Sequence, residues 1–182
     1  ASPELLDCLA SSDALLAVGT DFDAVATRHW SVEMPDELVH ITLSPTDLGT
    51  GYDLSVGMVA DAKRALDALS SALEDHSVGD GGGRKRATVV RDAFAERIEP
   101  LLDDQPPVSS VRALRAVRDS LPEETVVSAD AGGFRVWALN TFAAAGPRAY
   151  VNPGSWATMG TGLPAALGAQ LANPDADVVA LA

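Results

Sequence analysis

The sequence predicts an α/β architecture: parallel sheets flanked by helices, in two partial domains joined by a glycine-rich linker. Three observations carry the prediction. Short apolar runs closed by glycine or proline alternate with segments of helical periodicity. The runs are continuously apolar rather than alternating, as in strands covered on both faces. Between the halves lies His76-Ser77-Val78-Gly79-Asp80-Gly81-Gly82-Gly83, whose successive glycines cost too much backbone entropy for the interior of an element.

In the first half, Ser2 is placed to cap a helix with Pro3 at its first position and Leu5, Leu6 and Leu9 on one face. Residues 13–19 form an apolar run ending in glycine, the first strand. Residues 39–43, closed by Ser44-Pro45, form the second, and 54–59 the third. Residues 60–74 then carry Ala65, Leu66, Leu69 and Leu73 at helical spacing. In the second half, 84–104 reads as a helix with Val89, Val90, Phe94, Ile98 and Leu101 on one side. Ser109-Ser110 caps another helix, bearing Val111, Leu114, Val117 and Leu121. A strand over 125–130 meets Gly132-Gly133, and a helix over 134–142 follows. A short strand at 149–151, a helix from Pro164 to about Ala172 and a last strand over 177–182 complete the order. The final run reads as a central strand covered on both faces, where a binding loop and helix would follow, so the chain is expected to be part of a longer protein.

The formal net charge of −13 argues against nucleic acid or an anionic membrane as a partner, since both require clustered cations. No apolar run approaches the roughly 20 residues of a membrane span. The lone Cys8 allows no internal disulfide, and with no secretory signal in view a cytoplasmic protein is expected. Lys63 and Lys85 are the only lysines. A carboxylate-rich, lysine-poor surface suits high salt, where screening removes self-repulsion, so halophily is a second expectation. His29, His40 and His76 show no metal-ligand spacing with Cys8 or with one another.

The most specific stretch is Asn152-Pro153-Gly154-Ser155-Trp156-Ala157-Thr158-Met159-Gly160-Thr161-Gly162-Leu163-Pro164-Ala165-Ala166-Leu167-Gly168-Ala169. It is a loop of small residues feeding a helix, in which Gly154, Gly160 and Gly162 permit positive φ or close backbone approach. Gly168, inside the helix, costs about 1 kcal/mol relative to alanine, which predicts a close helix–sheet or helix–ligand contact there. Together with Val127-Ser128-Ala129-Asp130-Ala131-Gly132 and the aromatic-rich helix after it, this segment resembles the diphosphate-binding domain of thiamine-diphosphate-dependent enzymes of the acetolactate synthase type. The resemblance covers roughly 109–182. Residues 1–75 resemble, less specifically, the later part of that family's central Rossmann-like domain, with 76–108 as linker and connecting helix.

The resemblance implies a parent enzyme that decarboxylates a 2-oxo acid and joins the product to a second carbonyl compound, working as a homodimer or homotetramer. Two other readings stay open: a non-flavin decarboxylase of the benzoylformate decarboxylase type, and an inactive truncated remnant. For thiamine diphosphate it implies backbone contacts to the diphosphate from Ala131, Gly132, Gly133 and Phe134, where the family's usual Gln and His are replaced by Gly133 and Phe134. Ala157, Thr158 and Met159 are implied to hold the aminopyrimidine, with the Met159 thioether under the bend of the coenzyme. The family's catalytic glutamate belongs to an N-terminal domain outside this chain, and its Mg²⁺-holding Gly-Asp-Gly turn is expected beyond Ala182. Gly79-Asp80-Gly81 spells the same tripeptide but follows a polar helix end, with no asparagine before Asn140, and is read as linker. FAD is in doubt, because the family's flavin-holding arginine would fall near Asp21, where an acid repels a diphosphate. A nicotinamide enzyme is disfavoured for want of Gly-x-Gly-x-x-Gly after either first strand.

Overall fold

The computed structural model describes residues 2–76 and 82–182, so the Gly79-Asp80-Gly81 tripeptide lies outside the described residues. The chain divides into two units, Ala1–Ala95 and Glu96–Ala182, each with its own three-stranded parallel sheet. No described helix is long and apolar enough to cross a membrane.

The first unit opens with α1 (Pro3–Ala10), where the Ser2 side chain accepts from the Leu5 N–H and Pro3 stands where no helical N–H is needed. Strands β1 (Ala14–Val18), β2 (Glu37–Thr42) and β3 (Val56–Val59) follow, in sheet order β1-β2-β3. Their register pairs Leu16 with Val39 and Ile41 with Met58. Helix α2 (Ala62–Leu73) is capped by the Asp61 carboxylate at 3.0 Å from the Arg64 nitrogen. The core collects on the central strand: Leu38, Ile41 and His40 are fully buried, with Ala17 and Phe22 beside them. β3 is exposed along its whole length, as the edge of a sheet in which it pairs only with β2 among the described residues.

Helix α3 (Gly83–Ile98) contains the division between the units. It starts one residue inside the expected linker and stops before the expected end, giving way to a 3₁₀ turn over Glu99–Leu102, with Pro100 unable to continue an α-helix. Of its apolar side, Ile98 is buried while Val89 is exposed.

The second unit is built on α4 (Ser110–Ser120), β4 (Val126–Ala129), α5 (Gly133–Thr141), β5 (Tyr150–Val151), α6 (Gly162–Ala172) and β6 (Val178–Leu181). Ser109 caps α4 as its sequence position predicts, accepting from the Arg112 N–H at 3.0 Å. The sheet order β5-β4-β6 puts β4 in the middle, and Leu114, Val127, Ala138 and Phe142 form the core around it. β6 is half-buried and pairs with β4 among the described residues. A Cβ added at Gly168 meets nothing within 4 Å, so the sheet does not account for that glycine.

Candidate functional site

In parallel α/β sheets ligands bind beyond the carboxyl ends of the strands, where successive loops converge. In the second unit the segment after β4 and the loop after β5 meet at that end. A groove lined by Glu124, Val126, Arg148 and Asn173 lies at the opposite, amino end of the same strands.

Asp130, the residue after β4, organises the carboxyl end. Its N–H bonds the Leu181 carbonyl at 2.8 Å, extending the β4–β6 ladder by one step. Its side chain, buried among backbone groups, accepts from the N–H of Ala131 at 2.6 Å, of Gly160 at 2.9 Å and of Thr161 at 3.3 Å on Oδ1. Oδ2 receives a second approach from the Gly160 N–H at 3.1 Å. Burial drives the carboxyl upward, but the backbone N–H groups of Ala131, Gly162, Thr161 and Gly160 together outweigh it, and its pKa falls below the ordinary value. The carboxylate therefore stands ionised at the start of α6, where the helix dipole favours negative charge. Thr161, the residue preceding that helix, makes no side-chain capping bond of its own.

Two further contacts fix the approach. The buried Ser128 hydroxyl donates to the Gly162 carbonyl at 2.8 Å. A Cβ on Gly162 would lie 2.8 Å from the Asp130 Cβ and 3.0 Å from its nitrogen, so only glycine allows α6 to start this close to β4. The other loop glycines serve a different need: Gly154 and Gly160 have φ of +62° and +82°, with open space where a side chain would stand.

The residues expected to face a diphosphate lie at the start of α5. Gly132 precedes the helix in extended conformation and offers no side-chain cap, and a Cβ on Gly133 would meet nothing within 4 Å. The first N–H groups of the helix thus have no capping side chain from Gly132, which leaves the kind of donor an anion requires. The Phe134 ring turns back over Gly132 and packs against the Leu114–Val127 core, so its backbone alone is left for a ligand. On the other loop, Ala157 is left-handed with φ +47°, the Thr158 carbonyl accepts from the Thr161 hydroxyl at 2.9 Å, and Met159 is 82% exposed. Trp156 is exposed beside it. The two segments are joined through Asp130 and again by Arg135, which donates from Nη2 to the Gly154 carbonyl at 2.8 Å.

Sequence reasoning singled out neither Asp130, Ser128 nor Arg135 as a site residue. The available signal was indirect. An acid at the end of a buried strand needs donors, and a loop of small residues about thirty positions later has N–H groups to give.

Comparison with known proteins adds family matches to this geometry. Residues 1–69 match the thiamine pyrophosphate enzyme central domain, and residues 130–182 match the thiamine pyrophosphate enzyme C-terminal TPP binding domain. The chain is 28% identical over 188 residues to a probable acetolactate synthase large subunit of Methanococcus aeolicus, covering 96% of this chain and 31% of that protein. It is 30% identical over 173 residues to a chloroplastic acetolactate synthase of Arabidopsis thaliana, covering 92% of this chain and 25% of that one. Against the acetolactate synthase of Mycobacterium leprae it is 29% identical over 181 residues, covering 95% and 28%. The chain thus spans less than a third of the length of these curated relatives.

Proposed function

This chain belongs to the thiamine pyrophosphate enzyme family, and from that membership we propose that it supplies part of the cofactor site of an acetolactate-synthase-like enzyme acting on a 2-oxo acid. When bound, thiamine diphosphate supplies the electron sink for decarboxylation and carbon–carbon bond formation. The chain's own residues bind and orient. Backbone N–H groups at Gly132, Gly133 and Phe134 would receive the diphosphate at the uncapped start of α5, while the Ala131 N–H is held by Asp130 and only shapes the turn. The Ala157 carbonyl and the Met159 N–H hold the edge of the aminopyrimidine, with Thr158 between them keeping the loop in shape through Thr161. The exposed Met159 thioether would support the coenzyme, a form of pre-organisation. The ionised Asp130 beside the diphosphate turn adds negative charge to an already anionic site, so a divalent cation such as Mg²⁺ is required to offset it.

One observation carries the reading. The loop is tied to the carboxyl end of β4 while Met159 is held out in the open, where packing gives it no role. Titration calorimetry of the complete gene product with thiamine diphosphate and Mg²⁺, paired with carbon dioxide release from pyruvate, tests it. Heat of binding and gas release are expected, and no binding would end the proposal.

The same reading assigns residues 1–75 to the central domain, 76–108 to a connection and 109–182 to the diphosphate-binding domain. The matched stretches 1–69 and 130–182 fall within the first and last of these. No flavin is assigned, since Asp21 stands where an arginine would be needed. A cytoplasmic homodimer or homotetramer is proposed for the parent. The acidic, lysine-poor composition supports adaptation to salt, tested by a melting temperature that rises from low to molar salt.

A further inference from the structure

Asp130 has two short torsions and one carboxylate, yet two separate parts of the site hang from it. The turn leading into α5 is tied through the Ala131 N–H, and the loop carrying Ala157 to Met159 is tied through the Gly160 and Thr161 N–H groups. All three meet on Oδ1, so a shift of that single oxygen displaces both segments. The carboxylate has little room to find another arrangement. Its own N–H is fixed on Leu181, Gly162 packs against its Cβ and backbone, and Ser128 on the same strand holds the Gly162 carbonyl. Its partners are backbone groups from both sides, and bonds of this ionised kind are about twice as strong as neutral ones.

We propose that Asp130 is a positioning residue that couples the two halves of the cofactor site, so that filling the anion-binding turn at α5 stiffens the ring-binding loop at Ala157–Met159. The inference rests on the cofactor reading above and goes beyond it, because a simple structural cap would hold α6 without linking one half of the site to the other. Coupling of this kind is reciprocal: whatever occupies the turn improves the affinity of the loop, and the reverse holds by the same factor.

The two halves can be probed separately in the complete gene product, using thiamine for the ring-binding loop and magnesium pyrophosphate for the turn. In the unsubstituted protein, saturating magnesium pyrophosphate is expected to tighten thiamine binding roughly tenfold. In Asp130→Ala the enhancement should fall below about twofold, with an intermediate value in Asp130→Asn, whose amide oxygen still accepts but carries no charge. Amide hydrogen exchange supplies a ligand-free readout: Ala131, Gly160 and Thr161 should lose protection together in both variants. Enhancement undiminished in either variant, or protection unchanged at these three amides, overturns the inference. If Asp130→Ala does not fold, Asp130→Asn decides by the same two measurements. An unsubstituted protein that binds no thiamine diphosphate removes the cofactor reading and this inference with it. Binding of thiamine diphosphate without mutual enhancement of its two parts removes this inference alone.

Discussion

The two units present the same topological place, the carboxyl end of a three-stranded parallel sheet, in opposite ways. In the first, the loop after β1 folds in on itself. Phe22 is buried and meets the rings of His40 and Tyr52 edge-on at 4.9 and 5.2 Å. The His40 Nε2 is 3.0 Å from the Thr20 carbonyl, and the Trp30 indole donates to the Phe22 carbonyl at 2.9 Å. In the second, Trp156 and Met159 point out of the loop after β5, and the backbone is held from beneath by Asp130. Aromatic rings fill the one strand end, whereas a charge and several N–H groups brace the other and leave its apolar side chains uncovered. The difference lies in what anchors each loop: side chains that pack inward in the first unit, backbone bonds to one carboxylate in the second.

The contrast can be tested by substitution, beginning with the filled end. Ile41 is fully buried on the central strand, so Ile41→Ala is expected to cost roughly 3 kcal/mol in denaturant unfolding. Gly51 has φ +76°, and a Cβ there would come within 2.0 Å of the Trp30 ring. Gly51→Ala should therefore cost about 2 kcal/mol. In a Trp30→Ala background only the backbone part, about 1 kcal/mol, should remain, which a double-mutant cycle would show.

At the braced end the expected effect depends on pH. The folded-state pKa of Asp130 is lowered, so its contribution is fully present above the unfolded value and is lost as pH falls through the folded one. Unfolding midpoints of the unsubstituted protein should approach those of Asp130→Asn as the solution is acidified below about pH 4. A constant gap across that range would show that the carboxylate charge is not what holds the loop. The smallest effect on stability is expected at Met159, where Met159→Ala should stay within about 0.5 kcal/mol of the parent. Thiamine diphosphate affinity or turnover should nevertheless fall roughly tenfold, as removal of a positioning contact requires. A large stability loss there would place Met159 in a core and close the comparison.

Much of this architecture was legible because it is local. The run through Val126 and Val127, the Ser2 and Ser109 caps and the periodicity of α2 and α4 each declare themselves within a few residues. Gly154 and Gly160 were legible for the same reason, since a positive φ is a property of one residue. What escaped is set by partners far along the chain. The role of Asp130 depends on N–H groups 30 and 31 positions away, and the need for glycine at 162 comes from Asp130 and not from its own helix. Gly168 shows the converse, since an unusual residue inside a helix does not tell whether the sheet or something outside the chain lies against it, and here the sheet does not. The left-handed run Arg28, His29 and Trp30 has no signature in its residue types, none of which is glycine.

Ala157 holds a left-handed conformation with φ +47° although its neighbours in the loop include several glycines. An L-residue there carries about 1 kcal/mol of steric cost that glycine would not. Replacing it by glycine would relieve that cost and at the same time release the peptide planes on either side to rotate. On the proposed cofactor reading, keeping a methyl group at this corner would trade ease of folding for a carbonyl whose direction is settled in advance, so less ordering would be left to the moment of binding.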